Sequence, residues 1–180
     1  FLNKIEKNIV KPTVEGLKKE GIDYRGFIFF GLIKVGNDPY VIEYNCRMGD
    51  PEAESVIPRI KGDLLELFVA VGNQTLDKVE IKFDERNAAT VMMVAGGYPE
   101  KYQKGNFITI PDNLSDCIVF HSGTTIDVET GHIKTSCGRV IAVTSYGRNM
   151  KEALENAYKN VDLIDFKNKY FRKDLGFDLM

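Results

Sequence analysis

Residues 43–54 read Glu-Tyr-Asn-Cys-Arg-Met-Gly-Asp-Pro-Glu-Ala-Glu: four acids, one amide and one arginine in twelve positions. The preceding Tyr40-Val41-Ile42 is aromatic and β-branched, so the segment reads as the end of a strand. Side chains on a strand alternate faces. If the strand persists to Arg47, then Glu43, Asn45 and Arg47 share one face, and Ile42 and Tyr44 share the other. A carboxylate and an amide oxygen form a pair suited to Mg²⁺, which takes oxygen ligands and keeps few of them from protein. The arginine beside them is always charged and forks onto phosphate or carboxylate. Gly49 then reads as a turn, Asp50 as a helix N-cap, Pro51 as the first helical residue and Glu52 as a first-turn acid. A capped helix accounts for Asp50-Pro51-Glu52 without any chemistry. It does not account for Glu43-x-Asn45-x-Arg47.

The elements that must carry these residues are legible on either side. Leu2, Ile5, Ile9, Thr13 and Leu17 recur at helical spacing, and Pro12 inside that pattern predicts a kink or a restart. Residues 26–34 form an apolar run read as a strand covered on both faces. A turn over residues 35–39 sends the chain back as an antiparallel hairpin, with Gly31 leaving room for a close approach. After Pro51 a short helix is expected, interrupted by Pro58. A second helix runs from an Asp63 cap to Gly72-Asn73. The domain break is placed near residues 72–77, giving domains 1–72 and 73–180.

The second domain reads as mainly β with one or two helices. Strands are expected at residues 78–83, 88–95, 106–110, 117–121, 124–128 and 140–144, with a Glu129-Thr130-Gly131 turn leading into His132-Ile133-Lys134. Met150, Ala153, Leu154, Ala157, Tyr158 and Val161 make the clearest amphipathic helix. Residues 166–180 resist placement. Gly96-Gly97 lacks the continuation of a phosphate loop and reads as a tight turn. Gly138-Arg139 reads as a surface hairpin, with a role facing a substrate cleft left open. His121 and His132 lack metal-ligand spacing. The fold class is thus α+β.

The composition is 43% hydrophobic and 28% charged over 180 residues, an ordinary balance for a chain with a core. A net charge of -2 argues against a nucleic-acid surface. No apolar run approaches the roughly 20 residues that span a bilayer. Three cysteines without metal spacing read as free thiols in a reducing cytoplasm. Phe1 stands first, already in mid-pattern, which leads us to expect a missing N-terminal part.

Glu-x-Asn-x-Arg at a strand end resembles the metal-binding strand of the ATP-grasp superfamily. Its extension through Gly49-Asp50-Pro51-Glu52-Ala53-Glu54 is similar to the signature of the phosphoribosylamine–glycine ligases (glycinamide ribonucleotide synthetases) of purine biosynthesis. Met48 stands where that family has Leu or Phe, and Ser55 where it has an aliphatic residue. Glu54 falls where the family has Glu or Gln. The likeness covers the C-terminal part of such ligases and continues through Gly138-Arg139-Val140. It implies that residues 1–72 end an ATP-grasp domain built of antiparallel sheet and helices, and that a small C-terminal domain follows. It implies an ATP-dependent ligation of glycine to 5-phosphoribosylamine. Glu43 and Asn45 would hold Mg²⁺ or Mn²⁺, and Arg47 would neutralise the transferred phosphoryl group or its acceptor. Asp50 and Glu52 would bind substrate. No phosphate-cradling loop is present, so the chain alone is expected to be inactive. The alternatives are another ATP-grasp carboxylate–amine ligase and a non-catalytic binding module.

Overall fold

The computed structural model describes residues 1–177. In chain order its elements are α1 (Leu2–Ile5), α2 (Lys11–Lys19), β1 (Phe29–Val35), β2 (Asp38–Asn45), α3 (Ala53–Val56), β3 (Ile60–Lys61), α4 (Leu64–Gly72), β4 (Lys82–Phe83), β5 (Asn87–Ala95), β6 (Ile108–Thr109), β7 (Cys117–His121), β8 (Thr124–Ile126), β9 (Ile133–Thr135), β10 (Arg139–Gly147), α5 (Met150–Leu163), β11 (Asp165–Phe166) and β12 (Lys169–Tyr170). The strand pairs are antiparallel, as the α+β reading expects.

The chain forms two compact units, Phe1–Gly49 with Gly62–Ile81, and Asp50–Lys61 with Lys82 onward. The division is therefore not a single cut at residue 72. Residues 50–61 join the second unit because β3 pairs with β4 and because α3 is bonded to β5 and β10. Residues 73–81 stay with the first.

In the first unit, α1 and α2 are joined by a π turn, Glu6–Val10. Pro12 lies in the first turn of α2, directly after the π turn. The backbone stays helical through Val10 and Lys11 with no side-chain cap, so at Pro12 the helix continues through the π turn rather than restarting. Strands β1 and β2 form a hairpin in the register Phe29↔Asn45, Phe30↔Tyr44, Gly31↔Glu43, then Leu32↔Val41. The skip leaves Ile42 as the extra residue of a bulge. β1 starts three residues later than the apolar run predicts. Gly26 has φ +149, a backbone conformation that favours glycine, and residues 26–28 stay unpaired. Helix α4 starts at the expected cap, where Asp63 Oδ1 accepts from Leu65 N at 2.8 Å. Phe68 on α4 meets Phe27 edge to face, centroids 6.2 Å apart.

The second unit is built on a four-stranded sheet in the order β12-β5-β10-β7. β10 is its centre, and Val140 to Val143 are fully buried. α5 packs on this sheet through Ala153, Leu154, Ala157 and Val161, the stripe its periodicity predicts. Asn149 caps α5 by accepting from Glu152 N at 2.9 Å. The Glu152 carboxylate returns to the Arg148 amide at 2.8 Å, so two amides at the helix start are satisfied. Of the tail, residues 166–177 are described: β11 pairs with β6 and β12 with β5. The expected strand at residues 78–83 is reduced to β4, because a 3₁₀ turn occupies Leu76–Lys78.

α3 is tied to the sheet by hydroxyls whose direction is determined. Thr144 Oγ1 donates to Glu54 O at 2.8 Å, so its proton is committed. Thr90 must then donate to Thr144 at 2.8 Å, and Ser55 to Thr90 at 2.6 Å. A second polar anchor is Asp84, buried at 8% exposure, whose carboxylate accepts from Arg86 and pairs with Lys61 at 3.0 Å. The Arg86 hydrogen bonds hold the Asp84 carboxyl well below the usual carboxylate range.

Candidate functional site

In the first unit, Asn45 Nδ2 donates to Glu43 Oε1 at 3.1 Å. The two side chains thus lie together on one face of β2, as alternation requires. Tyr44 between them meets Phe30 edge to face at 5.5 Å. Glu43 has its room because its register partner is Gly31: a Cβ there would lie 2.7 Å from Glu43 Cγ. The close approach expected at Gly31 is made by the carboxylate-bearing side chain itself.

Arg47 does not continue this face. β2 ends at Asn45 because its partner β1 begins at Phe29, and a strand without a partner loses its ladder bonds. Arg47 lies in a bend, exposed, and its Nη1 donates to Met48 O at 2.8 Å. The shared face therefore holds two of the three expected groups.

The donor set fits a hard divalent cation. With Nδ2 turned to Glu43, Asn45 Oδ1 and the second Glu43 oxygen remain as two oxygen donors, the number Mg²⁺ takes from protein when phosphate and water complete its shell. No group of three or more His, Cys, Asp and Glu suited to a metal occurs among the described residues. A site made of one carboxylate and one amide is not of that kind.

In the second unit, Asp50 is not the helix cap that Asp-Pro-Glu predicts. Asp50, Pro51 and Glu52 form a turn with a cis Asp50–Pro51 peptide, and α3 begins only at Ala53. The flanking Glu52 makes no side-chain capping bond. The Asp50 carboxylate is taken instead by a distant partner. Arg139 Nη2 lies 3.3 Å from Asp50 Oδ2, and Arg139 Nη1 donates to Asp50 O at 3.0 Å. Glu52 is exposed.

Asp50 borders a cavity of about 380 Å³ that Glu54, Ile57, Phe120, His121 and Ser122 also line. Glu54 Oε2 is buried and has no hydrogen-bond partner among the described residues. A buried acceptor without a donor is costly, and such an atom marks a place for a missing donor. His121 Nδ1 lies 3.1 Å from Thr124 Oγ1. The sequence singled out Asp50 and Glu52 here but not Glu54, His121, Ser122 or Arg139 as a group. The available signal was the Gly138-Arg139 pair at the start of a buried strand.

Two family models match the chain: "Phosphoribosylglycinamide synthetase, ATP-grasp (A) domain" over residues 1–53, and "Phosphoribosylglycinamide synthetase, C domain" over residues 88–178. The phosphoribosylamine–glycine ligase of Fusobacterium nucleatum is 42% identical over 177 residues, 96% of this chain and 41% of that one. The bifunctional purine biosynthetic protein PUR2,5 of Pichia angusta is 44% identical over 98% of this chain and 22% of its own length. The crystal structure of the Thermotoga maritima phosphoribosylamine–glycine ligase superposes with a TM-score of 0.78 at 32% identity, covering 97% of this chain and 42% of that one. The biotin carboxylase subunit of pyruvate carboxylase shares the fold alone, with a TM-score of 0.59 at 13% identity over 90% of this chain and 38% of that one. The chain thus spans less than half the length of these relatives.

Proposed function

The chain belongs to the phosphoribosylglycinamide synthetase family, and from that premise we propose that it supplies the metal strand and the C-terminal domain of a phosphoribosylamine–glycine ligase. The full reaction joins glycine to 5-phosphoribosylamine, with ATP converted to ADP and phosphate. The observation that carries the reading is the Glu43–Asn45 pair, two oxygen-bearing side chains on one strand face with a glycine opposite.

Each residue's part follows from its chemistry. A divalent cation, Mg²⁺ or Mn²⁺, supplies charge neutralisation to the ATP phosphates when bound. Glu43 contributes the negative donor to it and Asn45 the neutral one. Arg47, exposed and in no ion pair among the described residues, is available to the transferred phosphoryl oxygens. It lies on a bend beyond the strand, so it reaches them by side-chain length rather than by strand register. Asp50, and Glu52 from the exposed side of its turn, bind the amino or hydroxyl groups of the substrates. The unpartnered Glu54 oxygen adds an acceptor for an ammonium group. Charge placement and orientation are the main needs of such a transfer.

Among the described residues no helix is long and apolar enough to cross a membrane. Free Cys46, Cys117 and Cys137 suit a reducing cytoplasm. The reading is tested by assaying the longer polypeptide for phosphate release with each substrate omitted in turn. Release that requires both glycine and 5-phosphoribosylamine is expected. Release with other amine acceptors but not with phosphoribosylamine assigns the chain to a different carboxylate–amine ligase.

A further inference from the structure

We infer that Arg139 is a positioning residue that holds Asp50 at the edge of the cavity it shares with Glu54, and that it rests on the reading of Asp50 as a substrate ligand. Arg139 uses two nitrogens on one residue: Nη1 on the Asp50 carbonyl at 3.0 Å and Nη2 on its carboxylate at 3.3 Å. Gripping backbone and side chain together fixes the main chain of Asp50 and the direction of its carboxylate. A simple surface ion pair would fix only the side chain. The side chains are 41% and 45% exposed, so Coulomb attraction alone is screened and contributes little. What the contact supplies is geometry.

The start of β10 is built to deliver this arginine. Gly138 lies under the Tyr98 ring, where a Cβ would be 2.1 Å from Tyr98 Cδ2. Gly138 O accepts from Ala95 N at 2.8 Å, so the backbone beside Arg139 is tied to β5. On the other side Gly123 packs against the Arg139 carbonyl, where a Cβ would be only 2.2 Å away. The backbone carrying Arg139 is thus confined from two directions, while its guanidinium reaches Asp50, 89 residues earlier in the chain. The start of α3 is tied to the same strand by the Thr144–Glu54 bond. Arg139 and Thr144 together hold the ends of the segment that carries both acids of the cavity.

The experiment compares Arg139→Ala, Arg139→Lys and Asp50→Asn in the longer polypeptide that contains this chain, by steady-state kinetics and thermal unfolding. Losing one charge-assisted hydrogen bond and one ion pair should raise the KM of glycine or of phosphoribosylamine about tenfold in Arg139→Ala. The KM of ATP and the unfolding midpoint should stay near wild type. Arg139→Lys should recover part of the loss, since one ammonium replaces a fork. Arg139→Ala added to Asp50→Asn should cost less than it costs alone. Wild-type KM values in Arg139→Ala overturn the inference, as does a loss of activity that only follows a loss of stability. An inactive wild-type polypeptide instead overturns the ligase reading, and this inference with it.

Discussion

Gly31 faces Glu43 across the β1–β2 hairpin, and the space where a Cβ would stand is occupied by Glu43 Cγ at 2.7 Å. The obstructing atom lies in the middle of the Glu43 side chain, so the carboxylate cannot stay in place if a methyl group is added. Gly31→Ala should therefore move the proposed metal ligand without unfolding the hairpin. Displacement of a reacting group by about 1 Å costs on the order of a hundredfold in rate, and that loss is expected for Gly31→Ala. Kinetics at several Mg²⁺ concentrations, read beside the unfolding midpoint, check it.

Asp63 and Asp50 occupy similar sequence contexts and should respond differently. Asp63 is a true cap, bonded to Leu65 N at 2.8 Å. Asp63→Ala should destabilise by about 1 kcal/mol and Asp63→Asn by much less. Asp50 caps nothing, so Asp50→Ala should leave helix stability alone and affect substrate binding. Denaturant unfolding of the four proteins, including Asp50→Asn, decides between the roles.

Asp84 should be one source of acid sensitivity. Its folded pKa lies below the unfolded value of about 3.9, chiefly through the Arg86 hydrogen bonds. A depressed carboxylate stabilises the folded state fully above the unfolded pKa, and that contribution is lost as pH falls through the folded one. Asp84→Asn should be less stable than wild type at pH 7. The gap should narrow as pH drops below about 4. Urea unfolding of both proteins across this range measures it.

Much of this fold and part of the site could be read from local pattern. The Glu43–Asn45 face, the Asp63 cap, the strand Cys117–His121 and the α5 stripe each follow from spacing within a few residues. What escaped depends on partners distant in sequence. Arg47 falls off the strand because β1 begins only at Phe29, opposite Asn45, which no feature of residues 40–47 announces. Asp-Pro-Glu has the form of a helix start, yet Arg139 claims Asp50 from 89 residues away. The allocation of residues 50–61 to the second unit rests likewise on β4, Thr90 and Thr144. The Glu54 cavity needs β7 and α3 together, and neither alone suggests it.

The most direct test of the account is the metal dependence of glycine-dependent phosphate release by the longer polypeptide, with Glu43→Gln and Asn45→Leu beside wild type. The removed donors are two of the few that Mg²⁺ takes from protein. Both variants should fold and unfold like wild type, lose most of their turnover, and require more Mg²⁺ for what remains. Near-normal turnover of both variants at limiting Mg²⁺ would contradict the assignment of this strand as the metal-binding element of the ligase.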